Sequence, residues 1–413
     1  MRFFVFFICV FLTVFGGCAS SNNTDGPETG TQLNPQSDFT KLVQQEYSDI
    51  SISDFSDGFN HARYQYKDSI PPYELYDTTQ ILGFAENMVY LQNPDGGWAK
   101  NLDFQRVYSL SELESIKEKN KSVPPVTYEL HSTSNGSTMD NRNIHSQIKY
   151  LCQVYKQVKN SENVDGNRYL ECATKALNWI LNAQHPVSGG FTGADVFAIT
   201  YNDDVMSDAL TILRDISNGS GAYSVFPSET QKKAKSAYEK GIECILKTQI
   251  TVTLKNGTKL LTAWCQQHYH DNLQPRWPRE FEPPSICSTE SFKVLKLLMA
   301  DPNPTEAMKK AVKAGVEFFD RDDVRIHDKK VKDVPLSKPI YWENVKRTDT
   351  KERIMVDEKG NRDLWARFYA LDSSFDVVKD ARKPIQGTYP EVLSPIWCDR
   401  GCKYVENYMD LIQ

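Results

Sequence analysis

Three times along this chain an amphipathic helix runs into a glutamine, a tight turn and a large aromatic ring. No other feature limits the fold as much. In "ILGFAENMVYLQNPDGGW" the residues Ile81, Ala85, Met88 and Val89 share one helical face; the helix stops at Gln92, and "NPDGG" leads to Trp98. "YLECATKALNWILNAQHPVSGGF" repeats the plan, with Tyr169, Cys172, Ala173, Ala176 and Ile180 as the stripe, Gln184 as the stop, and Gly189, Gly190 and Phe191 as the turn. A weaker copy, "AKSAYEKGIECILKTQ", ends at Gln249 and carries a longer, hairpin-like insert before Trp264. A recurring unit of this kind buries its apolar face by stacking on its neighbours, which predicts helix pairs arranged around a ring and an all-α class. The bland alternative is a set of unrelated amphipathic helices.

Each unit is followed by a second helix, and polar residues gather where these second helices start. "STMDNRNIHSQIKYLCQVY" turns Ile144, Ile148, Leu151 and Tyr155 inward, with Asp140 near its beginning. "ITYNDDVMSDALTILRDI" turns Val205, Ala209 and Ile212 inward behind Asp203 and Asp204. "PPSICSTESFKVLKLLMA", with Leu295, Leu298 and Met299 inward, follows the loop "QPRWPREFEPPS". In that loop Pro275, Pro278, Pro283 and Pro284 fix φ and remove backbone donors, so Arg276 and Arg279 sit on a stiffened, irregular segment. In a ring of helix pairs the equivalent helix ends share one rim, which would bring Asp140, Asp203, Asp204 and Arg279 into one cleft. An aspartate at a helix start is more often an N-cap than a ligand. Two adjacent aspartates exceed what one cap needs.

A formal charge of −6 argues against a nucleic-acid partner, so an anionic ligand would have to be held by local cations. The N-terminus reads as an export signal: Arg2, the apolar run "FFVFFICVFLTVF", then "GGCAS", which fits a lipobox ending at Cys18. A plain signal peptide without lipidation is the alternative. The expected boundaries are a signal over 1–17, a polar tether over 18–38 and one catalytic domain over 39–413, in a monomer held at a bacterial membrane through lipid on Cys18 and facing the periplasm or cell surface. Cys152, Cys172, Cys244, Cys265 and Cys287 lie in apolar contexts and read as core residues. Cys398 and Cys402 are a candidate pair in an oxidising compartment. No cysteine–histidine spacing suggests zinc, and the His268/His270 spacing is thin for a metal pair.

The stretches "NPDGGWAKN", "STMDN", "SGGF…ITYNDD", "WCQQH", "REFEPPS…ES" and "WARFY" resemble, in order, the catalytic modules of polysaccharide lyase family 10, the pectate lyases. The match spans most of residues 40–375. The resemblance implies an (α/α)3 toroid-like barrel over a deep groove, and calcium-dependent β-elimination of polygalacturonate to 4,5-unsaturated oligogalacturonides. It places the catalytic base on Arg279 and the calcium-site carboxylates on Asp140, Asp203 and Asp204, with Asn141 beside them. Lys100, His268, Arg276 and Arg367 fall where substrate contacts are expected. Beyond "WARFYAL" this chain departs from the family's Arg-Asp-Gly stretch, and Arg382 is the loosely aligned stand-in.

The chemistry asks for the same residue types. A C5 proton α to a uronate carboxylate is only weakly acidic, and a hard cation bridging that carboxylate to aspartates would stabilise the enolate-like charge. Arginine is an awkward base, its guanidinium ordinarily staying protonated, so Arg279 either has its proton affinity strongly depressed or stabilises the enolate electrostatically while water or hydroxide takes the proton. Two competing functions are a glycan-binding lipoprotein without turnover, and a glycoside hydrolase using Asp140 and Asp204 as paired carboxylates.

Overall fold

The computed structural model describes residues 42–128, 136–193, 197–277, 283–342, 347–376 and 378. Within them the longer helices are α1 (Ile81–Leu91), α2 (Leu110–Asn120), α3 (His145–Val158), α4 (Asn167–Ala183), α5 (Val205–Ser217), α6 (Ser228–Thr248), α7 (Ser288–Met299) and α8 (Glu306–Phe319). They pack as pairs, α3 on α4, α5 on α6 and α7 on α8. Two ranks run through these pairs: α1, α4, α6 and α8 contact one another in succession, and so do α3, α5 and α7. The apolar stripes account for the pairing. Ile81, Ala85, Met88, Ile144, Ile148, Leu151, Val205, Ala209, Ile212, Leu295 and Leu298 are all buried, while Val89, Tyr155 and Met299 pack against the core from partly exposed positions.

The recurring glutamines join successive units. Gln92 donates its side-chain amide to the Gly96 carbonyl in its own turn (2.8 Å) and to the Cys172 carbonyl of α4 (2.9 Å). Gln184 repeats this toward Gly189 (2.9 Å) and Ala237 of α6 (2.8 Å). Gln249 bonds Thr262 and Ala311 of α8, both at 2.9 Å. Each glutamine thus satisfies a carbonyl of the next helix as well as one in its own loop, which explains why the residue recurs. Glycine is required in the turn for the same reason. At Gly96 and Gly189 the backbone φ is +98° and +75°, and an added Cβ would stand 2.6 Å and 2.5 Å from the Lys175 and Lys240 carbonyl oxygens of the next helix.

The aromatic ring that closes each unit is buried, and three of these rings donate back to their own helix. Trp98 bonds the Met88 carbonyl (2.8 Å), Trp264 that of Ile245 (2.9 Å) and Trp365 that of Phe319 (2.8 Å). Trp365 therefore closes a further unit, begun by α8, which lacks the glutamine and escapes the sequence pattern.

Short strands decorate this helical frame. β1 (Ile199–Thr200) pairs with β4 (Gln267–His268), and β5 (Ile286–Cys287) with β8 (Phe368–Tyr369), all antiparallel. The insert before Trp264 is the hairpin β2 (Thr251–Thr253) and β3 (Lys259–Leu261). An unanticipated longer hairpin joins β6 (Lys329–Trp342) and β7 (Arg347–Asp357), with a register shift between Pro335 and Ile340. Its lysines and prolines hid it from a strand reading, because a two-stranded ribbon leaves both edges and both faces open to such residues. Cys152, Cys172, Cys244, Cys265 and Cys287 are buried free thiols. Cys18, Cys398 and Cys402 lie outside the described residues.

Candidate active site

Asp140–Arg142 and Asn202–Asp204 each form a single tight turn leading into a helix of the α3, α5 and α7 rank, and each breaks the helical path in the same way. Asn141 and Arg142 have φ of +55° and +57°; Asp203 and Asp204 have +53° and +60°. Asn and Asp tolerate this left-handed region better than other side-chain-bearing residues, and arginine does not. Two such consecutive pairs at equivalent places are strain that the surrounding contacts must offset.

Those contacts are ionic. Asp140 is buried and its Oδ2 receives Lys100 Nζ at 2.6 Å. Arg142 Nη2 crosses to Asp204 Oδ2 at 3.0 Å, and Lys293 Nζ, from α7, reaches the same oxygen at 3.2 Å. Asp204 therefore ties the turns before α3 and α5 to α7. The N-cap reading fails here: Asp204 occupies the cap position of α5, yet its side chain accepts no capping bond. Asp203 Oδ2 accepts from Asn202 Nδ2 (2.7 Å), and Asn202 in turn accepts from Gln267 Nε2 (3.1 Å). Asn141 donates to Asn101 Oδ1 at 3.0 Å, beside Lys100.

A second layer of titratable groups sits in the first turns of the same helices. Glu290, buried on α7, accepts from Arg367 Nη2 at 3.3 Å. Burial pushes its carboxyl pKa up; Arg367 opposes the shift and the charge of Asp203 adds to it. His145 Nε2 of α3 lies 3.3 Å from Asp208 Oδ2 of α5. Burial also raises the Asp208 pKa, against the pull of His145. Arg142, Lys293, Glu290, His145 and Asp208 were not singled out from the sequence. Their shared signal is position, at or near the starts of the second helices, where only the aspartates stood out.

The structure thus gathers Lys100, Asp140, Asn141, Asp203, Asp204 and, through Glu290, Arg367. Two expected contacts lie apart. His268 is fully buried: its Nε2 accepts from the Cys265 amide (3.1 Å) and its Nδ1 meets the Leu273 carbonyl (2.9 Å), while burial lowers its pKa to about 4. With both nitrogens bonded to backbone, His268 holds the loop that follows it. Arg276 lies on that loop, its Nη1 on the Phe197 carbonyl at 2.8 Å. Arg279 and Arg382 lie outside the described residues. Among the described residues no three His, Cys, Asp or Glu side chains gather as a metal cluster, because the site carboxylates are interleaved with cations.

A sequence model of the pectic acid lyase family matches residues 92–386, which contain all of these groups. The chain belongs to the pectic acid lyase family. It is accordingly a polysaccharide lyase. Two solved structures share its fold. One is a mutant of a family 10 polysaccharide lyase from Cellvibrio cellulosa in complex with trigalacturonic acid, at 24% identity and TM-score 0.56, covering 86% of this chain and 95% of that one. The other is a family 10 polysaccharide lyase from the same organism, at 24% identity and TM-score 0.54, covering 85% and 93%. None of the curated proteins compared with the chain matches it.

Proposed function

We propose that this lyase cleaves polygalacturonate by calcium-dependent β-elimination, on a toroid of helix pairs whose groove runs over the starts of α3, α5 and α7. The observation that carries the reading is Asp204, which joins Arg142 and Lys293 from two other units at one oxygen. A family of pectic acid lyases, and a neighbour described in complex with trigalacturonic acid, supply the substrate class.

Asp140, Asp203 and Asp204 offer only hard oxygen donors on turns with little freedom, which suits calcium. Their interleaving with lysine and arginine fits a site completed by the substrate's own carboxylate. When bound, the ion would supply positive charge against that carboxylate and make the C5 proton easier to remove. Lys100, Arg142, Lys293 and Arg367 would orient the uronate carboxylates, and Glu290 would hold Arg367 in register. Arg279 would take the proton from C5. The C4–O bond then breaks, leaving a 4,5-double bond on one product and the departing oxygen, reprotonated from solvent, on the other.

A glycoside hydrolase would need two carboxylates in unlike surroundings, one of them a proton donor. Asp140 and Asp204 both face cations. Export and a lipid on Cys18 remain part of the proposal on the strength of "GGCAS". The deciding experiment is ultraviolet absorbance during incubation with polygalacturonate, with and without chelator. Unsaturated uronide that appears only with calcium is the expected result; reducing ends without the chromophore, or neither, would sink the reading.

A further inference from the structure

Beside the candidate active site stands a group of aromatic rings that the proposed reaction does not use. The loop after β4 folds back as an antiparallel turn: the Tyr269 amide donates to the Gln274 carbonyl, the Arg276 amide to the Gln267 carbonyl, and His268 pairs with Pro275. Alternation across this pairing puts Tyr269 and Arg276 on the face opposite His268. There the Arg276 guanidinium lies 5.0 Å from the Tyr269 ring centroid, and its Nη1 donates to the Phe197 carbonyl. Tyr269 and Phe197 are 40% and 37% exposed, which is unusual for large rings fixed in place.

Phe197 is backed by a wall. Its ring sits 4.7 Å from that of His270, which stacks on His185 at 4.3 Å. Ser188 Oγ and Thr192 Oγ1 meet the two nitrogens of His270 at 2.8 Å and 2.9 Å. The surface is therefore preorganised, and a ligand meeting it loses little side-chain entropy. It is also wired to the acidic turn: the Arg276 amide bonds Gln267, Gln267 bonds Asn202, and Asn202 bonds Asp203. Five residues, of which Ile199–Thr200 are strand, separate Phe197 from Asp203, a reach of at most about 20 Å.

We propose that Phe197, Tyr269 and Arg276 form a subsite for a uronate residue of the polysaccharide outside the pair of rings whose bond breaks. This rests on the reading of the chain as a lyase of polygalacturonate. The apolar C–H face of a pyranose would lie against the rings, and its carboxylate would meet the guanidinium, so the pairing of rings with a cation selects a charged sugar over a neutral one. Because the subsite lies off the reacting pair, it contributes affinity for long chains and little for short ones.

The test uses the full-length protein and the variants Phe197→Ala and Tyr269→Ala, with kcat/KM measured on polygalacturonate and on trigalacturonate by unsaturated-uronide absorbance. The ratio of the two should fall roughly three- to tenfold in each variant, the loss of one ring contact. An unchanged ratio overturns the subsite. Trp277, next to Arg276 and 53% exposed, gives a second readout that needs no turnover. Galacturonate hexamer should change the Trp277 fluorescence, isolated by subtracting a Trp277→Phe control, and Phe197→Ala should weaken that titration. If the protein turns over neither substrate but the titration behaves so, the lyase reading fails and the subsite stands. If it turns over both and the hexamer leaves Trp277 unmoved, the subsite fails alone.

Discussion

Replacing Asp204 with asparagine is the sharpest perturbation the site allows. Asparagine keeps the size of the side chain and tolerates the +60° φ of this position, so the change is chiefly one of charge. The carboxylate is 17% exposed, whereas Arg142 and Lys293 are 43% and 34% exposed, so both contacts are partly screened by water. After that discount each is worth about 1 kcal/mol, and since asparagine can still accept one of them the net loss is about 1–2 kcal/mol. With roughly 2 cal/mol/K of unfolding entropy per residue, a domain of this size should lose only about 1–3 °C of Tm. Calcium linkage should move far more: at a hundred times its Kd a ligand adds about 2.7 kcal/mol, or about 4 °C here, and the variant should lose that increment. Melts with calcium and with chelator, beside uronide absorbance, measure both. The expected pattern is a small loss of intrinsic stability, no calcium increment, and turnover down by at least about a hundredfold, as loss of a preorganised charge in a catalytic site commonly costs. A variant that keeps both the increment and near-normal turnover would remove Asp204 from the site. One that fails to fold would make it a structural keystone instead.

Other changes test other levels of the structure. Gln249→Ala breaks two buried amide bonds, to Thr262 and Ala311, and should lower stability by roughly 2–4 kcal/mol in denaturant melts while leaving KM unchanged in the folded fraction. His268, whose pKa burial lowers to about 4, is neutral in the fold while the unfolded chain takes up a proton below its ordinary value. Stability should therefore be fully present above about pH 6.5 and fall by about 3 kcal/mol on acidification to pH 4, a slope that His268→Gln should flatten. Arg279→Ala should lose on the order of 10²–10⁴-fold in kcat while still binding polygalacturonate, the span general-base catalysis covers. Arg279→Lys should restore part of that rate with an unshifted pH profile only if the role is electrostatic, which the two pH–rate curves decide.

The helical frame was legible because its signals are local. Ile148, Leu151, Val205 and Leu298 repeat at helical spacing and are buried, and Gln92, Gln184 and Gln249 mark the same point in three units. The unit closed by Trp365 was not legible, since its link to α8 spans the β6–β7 hairpin and no glutamine marks it. In the site, aspartates at Asp140 and Asp204 were readable as unusual helix starts, but their partners were not. Lys293 and Arg142 look like ordinary surface charges until the fold brings three helix starts together. The surroundings of His268 were hidden for the converse reason: a polar residue in a motif reads as a contact, and its burial against two backbone partners shows only in the fold.

The charge balance of the site carries one more consequence. Lys100, Arg142 and Lys293 stand against Asp140, Asp203 and Asp204, three cations and three carboxylates, so the assembled turns are close to neutral. A uronate carboxylate arriving alone would have to compete with an aspartate for each cation, in a chain whose net charge is already −6. A divalent cation arriving alone would face Lys100, Arg142 and Lys293 across the same few ångströms. Arriving together, the ion and two uronate carboxylates leave the balance unchanged. Calcium and polyuronate should therefore bind with positive coupling, and by linkage each must raise the affinity of the other by the same factor, typically about 5–150-fold. The measurement is calorimetric titration of the inactive Arg279→Ala protein with galacturonate hexamer at stepped calcium, paired with calcium titrations at stepped hexamer. Equal coupling factors from the two directions are the expected result. Hexamer affinity indifferent to calcium would mean that the cations alone hold the substrate, and that the aspartates serve only to fix those cations in place.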